Sequence, residues 1–235
     1  MMKLSSLTAV FMPPPLSSAT PALASALHIR EQERERIARD LHDELGGHLV
    51  GIGMALGRLQ EQLSTQGLAA PLAEVQQARQ LLLEATNSMH GIIDELHPPV
   101  VEFGLADALQ WQCAQIERQY GMRCQLDSPP GLEVADRFLI LSLLRILREA
   151  ASNAARHGRA STLKVGLLAY AGTLEMQMAD DGCGIAAPST SDGGTRHGHG
   201  MRNMRERAEA LGGELRIEAG PGGGTLIRTL IPVAR

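Results

Sequence analysis

At 235 residues, with 44% apolar and 20% charged side chains, the chain can bury one large core or two small ones. A net charge of −4 and 3% aromatics argue against a basic nucleic-acid surface or a base-stacking platform. The three cysteines are odd in number and lack metal-ligand spacing, which fits a reducing, cytoplasmic setting.

Residues 1–26 form a Pro/Ser/Ala-rich segment that reads as a disordered leader. Lys3, the apolar run Leu4 to Met12 and Ala22 to Ala26 loosely imitate a secretory signal, but Pro13-Pro14-Pro15 stops the short apolar part. No later stretch reaches the roughly 20 apolar residues of a membrane span. A long helix is expected over Leu27 to Leu63, with a charge-dense start at Arg30 to Arg36. Ile37, Leu41, Leu45, His48, Ile52, Ala55 and Leu59 recur along it at spacings of three and four. Ser64 to Gly67 breaks it, Pro71 opens a second helix, and Pro98-Pro99 ends that one. Leu72, Val75, Leu82, Met89, Ile93 and Leu96 line its apolar face. The pair is a helical hairpin whose wide stripe a lone protomer cannot cover, so a homodimeric four-helix bundle is expected.

The remainder reads as a sheet with helices on one face. Helices are expected over Leu105 to Tyr120, Ala135 to Arg156 and Met201 to Leu211. Strands are expected over Met122 to Leu126, Leu163 to Leu168, Leu174 to Met178, Glu214 to Glu218 and Thr225 to Ile231. Ala186 to His199 is poor in apolar residues and reads as a mobile loop.

Four groups of residues can carry chemistry. His42 flanks the apolar seam of the first helix, and Asp43 beside it can hold one ring proton while the other nitrogen stays free for attack. Glu149, Asn153 and His157 are spaced to share one helix face; the first two can offer hard oxygen ligands to a hydrated Mg²⁺. Asp180 ends a strand before Gly182 and Gly184, where glycines let backbone approach a flat ligand and a carboxylate can accept from an exocyclic amino group. Gly198 and Gly200 open a helix whose free N–H groups favour phosphate, and Thr225 follows a glycine run into the last strand. His28, His90 and His97 read as structural or solvated.

In order and spacing these groups resemble the two-component sensor histidine kinases, most of all the nitrate/nitrite and membrane-fluidity sensors. Their phosphoacceptor box is matched by Arg39-Asp40-Leu41-His42-Asp43, and their connector by Leu96-His97-Pro98-Pro99 with Gly104 to Leu109 after it. The resemblance implies an α+β chain: a dimeric antiparallel hairpin over 27–98, then a Bergerat-type (GHKL) ATP-binding α/β sandwich over 104–235. It implies that His42 attacks the γ-phosphate of ATP, that Asp43 and Glu149 assist, and that Asn153 binds Mg²⁺ with Glu149 nearby. His157, Asp180, Gly182, Gly184, Gly198, Gly200 and Thr225 are then nucleotide-binding residues. The phosphoryl group would pass to an Asp in the receiver domain of a response regulator. Many relatives carry Gln or His four residues after the acid of the box; here Gly47 stands there, which argues against efficient phosphatase activity. Two other readings share these motifs: a non-catalytic nucleotide-binding dimer that sequesters a regulator, and a different GHKL ATPase.

Overall fold

The computed structural model describes residues 21–132, 134–184, 197–220 and 223–233. They divide into two compact units. One holds Ala26–Ala108 with Ala135–Leu141; the other takes in Leu109–Val134 and Ser142–Arg235.

The first unit is the helical hairpin. Helix α1 spans Pro21–Asp40, the chain widens into a π turn at Leu41–Leu45, and α2 continues over Gly46–Thr65. Helix α3 spans Ala69–Leu96. Pairs across the hairpin establish that α3 runs antiparallel to α2: Gly46 meets Met89, Gly53 meets Leu82, and Gln60 accepts from Arg79. A Cβ built on Gly53 would stand 3.4 Å from a Leu82 methyl, in ordinary contact across the hairpin.

Helix α2 therefore has two apolar faces. Leu49, Gly53 and Leu56 are half-buried, while Leu45, Ile52 and Leu59 on the expected seam stay exposed. Two expectations need correction here. Of the leader, residues 1–20 lie outside the described residues, but Pro21 to Ala26 are helical: proline suits a first turn, and Ala-Leu-Ala-Ser-Ala is a strong helix-forming run. The long first helix is also not uniform, because the π turn interrupts it.

A 3-10 turn over Pro99–Phe103 leads to α4, Leu105–Tyr120. Five strands follow: β1 Arg123–Asp127, β2 Thr162–Tyr170, β3 Thr173–Asp180, β4 Glu214–Ala219 and β5 Thr225–Pro232. Their order across the sheet is β1-β2-β3-β5-β4. β1 and β2 pair in parallel, Cys124 opposite Leu163, and every other pairing is antiparallel. Along β2, Leu163, Val165 and Leu167 are buried while Lys164 and Leu168 are exposed, the alternation of a sheet covered on one side. The core adds Leu109, Cys113 and Ile116 from α4, and Met204 and Ala208 from α6, His197–Ala210. From α5, Arg137–Asn153, it takes Leu143, Leu144, Ile146, Leu147 and Ala151.

Most of the expected loop Ala186 to His199 lies outside the described residues, but α6 begins at His197, four residues before the expected Met201. The expected helix to Arg156 also changes character: α5 ends at Asn153 and a second π turn occupies Ala154–Gly158.

Candidate functional site

The first group lies on the hairpin. His42 sits in the π turn with its side chain 67% exposed, and Asp43 beside it is 69% exposed. The two meet directly, His42 Nδ1 to Asp43 Oδ1 at 3.1 Å. With the proton on Nδ1 donated to the carboxylate, Nε2 keeps its lone pair and faces solvent. π turns cost helix stability and recur at functional positions. A groove of about 620 Å³ runs beside the ring, lined by His42, Asp43, Gly47, Leu82, Met89 and His90 among others. A Cβ on Gly47 meets nothing within 4 Å, so the side chain expected in many relatives has room but is absent.

The second group lies in the sheet unit, where β3 ends. Asp180 Oδ1 accepts from the N–H of Gly182 at 2.9 Å and from that of Thr225 at 3.2 Å. This leaves Oδ2 without a donor among the described residues. Glycine is required around it. A Cβ on Gly182 would come within 2.6 Å of the Gly158 carbonyl oxygen, and one on Gly224 within 2.0 Å of the Asp180 carbonyl oxygen. Gly224 (φ +74°) and Gly184 (φ +76°) also adopt left-handed backbone. Asp180, Gly182, Gly184 and Thr225 thus converge on one cradle.

Glu149 and Asn153 sit one turn apart near the end of α5, both half-buried. Glu149 is brought to α6: its Oε1 occupies the space a Cβ on Gly200 would need, 2.0 Å away. Gly198 lies in the first turn of the same helix. His157 departs from its expected place. It falls in the second π turn, so the face drawn through 149, 153 and 157 is interrupted by a wider coil, and the residue is exposed.

Asp181, next to Asp180, received no role from the sequence. Its Oδ2 accepts from Ser161 Oγ at 2.6 Å; its Oδ1 accepts from the N–H groups of Ser161 at 2.7 Å and Thr162 at 2.9 Å. The Ser161 hydroxyl first, then the Thr162 N–H, hold this carboxyl down at about 2, below its ordinary 3.8. With the N–H of Cys183 on the Gly158 carbonyl at 2.9 Å, these bonds staple the 180–184 loop to the start of β2. Because the folded-state pKa is depressed, the staple is complete above about pH 4 and is lost as pH falls toward 2. Amide exchange at Ser161 and Thr162 is expected to accelerate across that interval, and Asp181→Asn is expected to remove the acid step. An unchanged step in that variant means another carboxylate controls the loop.

Residues 33–101 match the family model described as "Histidine kinase". Residues 139–235 match that of "Histidine kinase-, DNA gyrase B-, and HSP90-like ATPase". The chain belongs to the two-component sensor histidine kinases. Among histidine kinases of this family it is 32% identical to the nitrate/nitrite sensor protein NarX of Escherichia coli strain K12 over 212 residues. That match covers 86% of this chain and 33% of the relative. The sensor histidine kinase MctS of Rhizobium johnstonii is 30% identical, covering 84% of this chain and 42% of the relative. The chain thus spans roughly a third to two-fifths of the length of these relatives. The histidine kinase domain from the Erythrobacter litoralis EL346 blue-light activated histidine kinase is 18% identical, with a TM-score of 0.49. That likeness covers 87% of this chain and 94% of the other.

Proposed function

We propose that the chain is an ATP-dependent protein-histidine kinase that phosphorylates His42 and passes the group to an Asp of a response-regulator receiver domain. The observation that carries this is the His42–Asp43 pair, solvent-facing at 3.1 Å, in a chain that also holds the Asp180 cradle. In this reading 27–98 is the phosphoacceptor hairpin and 104–235 the nucleotide-binding domain. Asp43 holds the Nδ1 proton so that His42 Nε2 attacks the γ-phosphorus of ATP; the bond to the β,γ-bridging oxygen breaks and ADP leaves. Positioning and charge neutralisation dominate such transfers.

Asp180 Oδ2, the oxygen with no donor among the described residues, accepts from the adenine amino group, and Gly182, Gly184 and Thr225 shape that end. Gly198 and Gly200, in the first turn of α6, suit phosphate, and His157 borders the same end of α5. Among the described residues no cluster of His, Cys, Asp and Glu forms a protein-only metal cage. Asn153 with Glu149 nearby suits Mg²⁺ instead, an ion that keeps waters and uses few protein ligands; when bound it neutralises phosphate charge.

The exposed Ile37, Leu45, Ile52 and Leu59 support a homodimer, because two hairpins packed as a four-helix bundle would cover them. No helix among the described residues is long and apolar enough to cross a membrane. The free thiols Cys113, Cys124 and Cys183 support a reducing, cytoplasmic setting.

The test is incubation with γ-labelled ATP and Mg²⁺. Label that is acid-labile, alkali-stable and transferable to a receiver domain within minutes is expected. Steady hydrolysis without phosphoprotein would point to another GHKL ATPase, and regulator binding without transfer to a sequestering module. Asn153→Ala is expected to cut labelling on the order of a hundred-fold while the dimer elutes unchanged. Full labelling in that variant removes Asn153 from the metal site.

A further inference from the structure

Ala135–Leu141 belongs to the hairpin's unit, and its contacts there are specific. Arg137, the first residue of α5, places Nη2 3.0 Å from Glu35 Oε1 on α1, the oxygen that also accepts from Arg39 at 2.9 Å. The same Nη2 meets His97 Nε2 at the end of α3. Next to it, the Phe138 ring stands 5.3 Å from the His28 ring. Asp136 Oδ1 caps the helix by accepting from the Leu139 N–H at 2.9 Å. Two histidines that looked structural or solvated thus meet at one joint.

A guanidinium only donates, so His97 Nε2 must accept with its lone pair, and the imidazole must be neutral with its proton on Nδ1. Protonation removes that lone pair and sets a second cation beside Arg137. The charged groups facing the ring are Arg137 from α5, Glu35 and Arg39 from α1, and Glu102 from the 3-10 turn. Burial first, then Arg137, hold His97 below its ordinary 6.5, and Arg39 adds to this against the opposing pull of Glu35 and Glu102. A base with a depressed folded-state pKa contributes its contact in full above about 6.5 and loses it as pH falls below that value. Beyond this joint α5 continues as one helix to Glu149 and Asn153.

We propose that Arg137 is a positioning residue for phosphoryl transfer: clasped by Glu35 and neutral His97, it ties the start of the helix bearing Glu149 and Asn153 to the helix leading into His42. The clasp opens in acid. The positioning role rests on the kinase reading; the clasp itself does not.

The experiment uses the full chain, isotopically labelled, as wild type, Arg137→Gln and His97→Gln. The last assigns the His97 ring signal by its disappearance. In Arg137→Gln the His97 titration is expected to move upward, and the Leu139 and Ile140 amides to exchange about ten-fold faster. Labelling at saturating ATP is expected to slow several-fold with the KM for ATP unchanged. In His97→Gln an amide oxygen accepts from Arg137 without titrating. It should keep the neutral-pH exchange protection and abolish its loss in acid. His42 must itself be neutral to attack, so labelling is compared between variants at each pH. An unmoved His97 titration with unmoved exchange overturns the clasp. A clasp that behaves as described while labelling stays at the wild-type rate overturns the positioning role. Should the wild type take no label, the kinase reading and the positioning role fall together, while the ring titration still decides the clasp.

Discussion

His42→Gln is expected to fold as the wild type does and to take no label from ATP at all. The substituted side chain is exposed, and exposed substitutions usually shift stability by no more than about 0.5 kcal/mol. Glutamine keeps a polar surface but has no basic nitrogen to attack phosphorus, so the loss is chemical. Circular dichroism and gel filtration check the fold; acid-labile label checks the chemistry. Binding of a fluorescent ATP analogue should be unchanged, because the Asp180 cradle proposed to hold it lies in the other unit. Labelling of His42→Gln at the wild-type rate would move the phosphoacceptor to another residue and with it the reading of the hairpin.

Gly224→Ala is the second large effect. Its Cβ would stand 2.0 Å from the Asp180 carbonyl oxygen, 2.8 Å from the carbonyl carbon and 3.0 Å from Oδ1. All but the last are backbone atoms, which cannot rotate aside. The φ of +74° adds roughly 1–2 kcal/mol for any residue with a Cβ. Relief requires the Asp180–Gly182 turn and the head of β5 to separate, which breaks the Thr225 bond to Asp180. Affinity for the ATP analogue is expected to fall on the order of a hundred-fold or more, with labelling falling alongside. The proposed dimerisation of the hairpin should be untouched, since Gly224 belongs to the other unit. Retained nucleotide affinity would mean that the cradle is not where adenine sits.

Much of the architecture was legible from apolar periodicity. The 3.6-residue stripes of the hairpin and the alternation along β2 are patterns that burial imposes locally. The glycines at 182, 184 and 224 could be singled out by type, although the atoms that forbid a side chain there come from residues tens of positions away. What could not be read depends on such distant partners. Asp181 looks like the second half of a turn until Ser161 and Thr162, about twenty residues earlier, are seen to donate to it. Arg137 and His97 are forty positions apart and carry no shared motif. The π turns were invisible for another reason. Apolar spacings of three and four continue through Leu41 and Leu45, so composition does not distinguish a regular coil from a wide one. Element ends are a local matter: proline and alanine at Pro21 to Ala26 read equally as leader composition and as a helix opening, and the glycines before Met201 hide that α6 begins at His197.

The wide coil at Leu41–Leu45 bears on how the His42 side chain is aimed. Such a coil closes its hydrogen bonds one residue later than an ordinary one. Each residue of ordinary helix advances the side-chain bearing by about 100°. A residue removed from this stretch after His42 could let it close as regular helix with the flanking helices nearly in their present phase, because the wide turn is what absorbs the extra residue. The compass direction of the His42 imidazole is therefore written in a residue count: an amino acid inserted into the ordinary helix between it and Ile52 would turn it by about 100° without altering any chemical group.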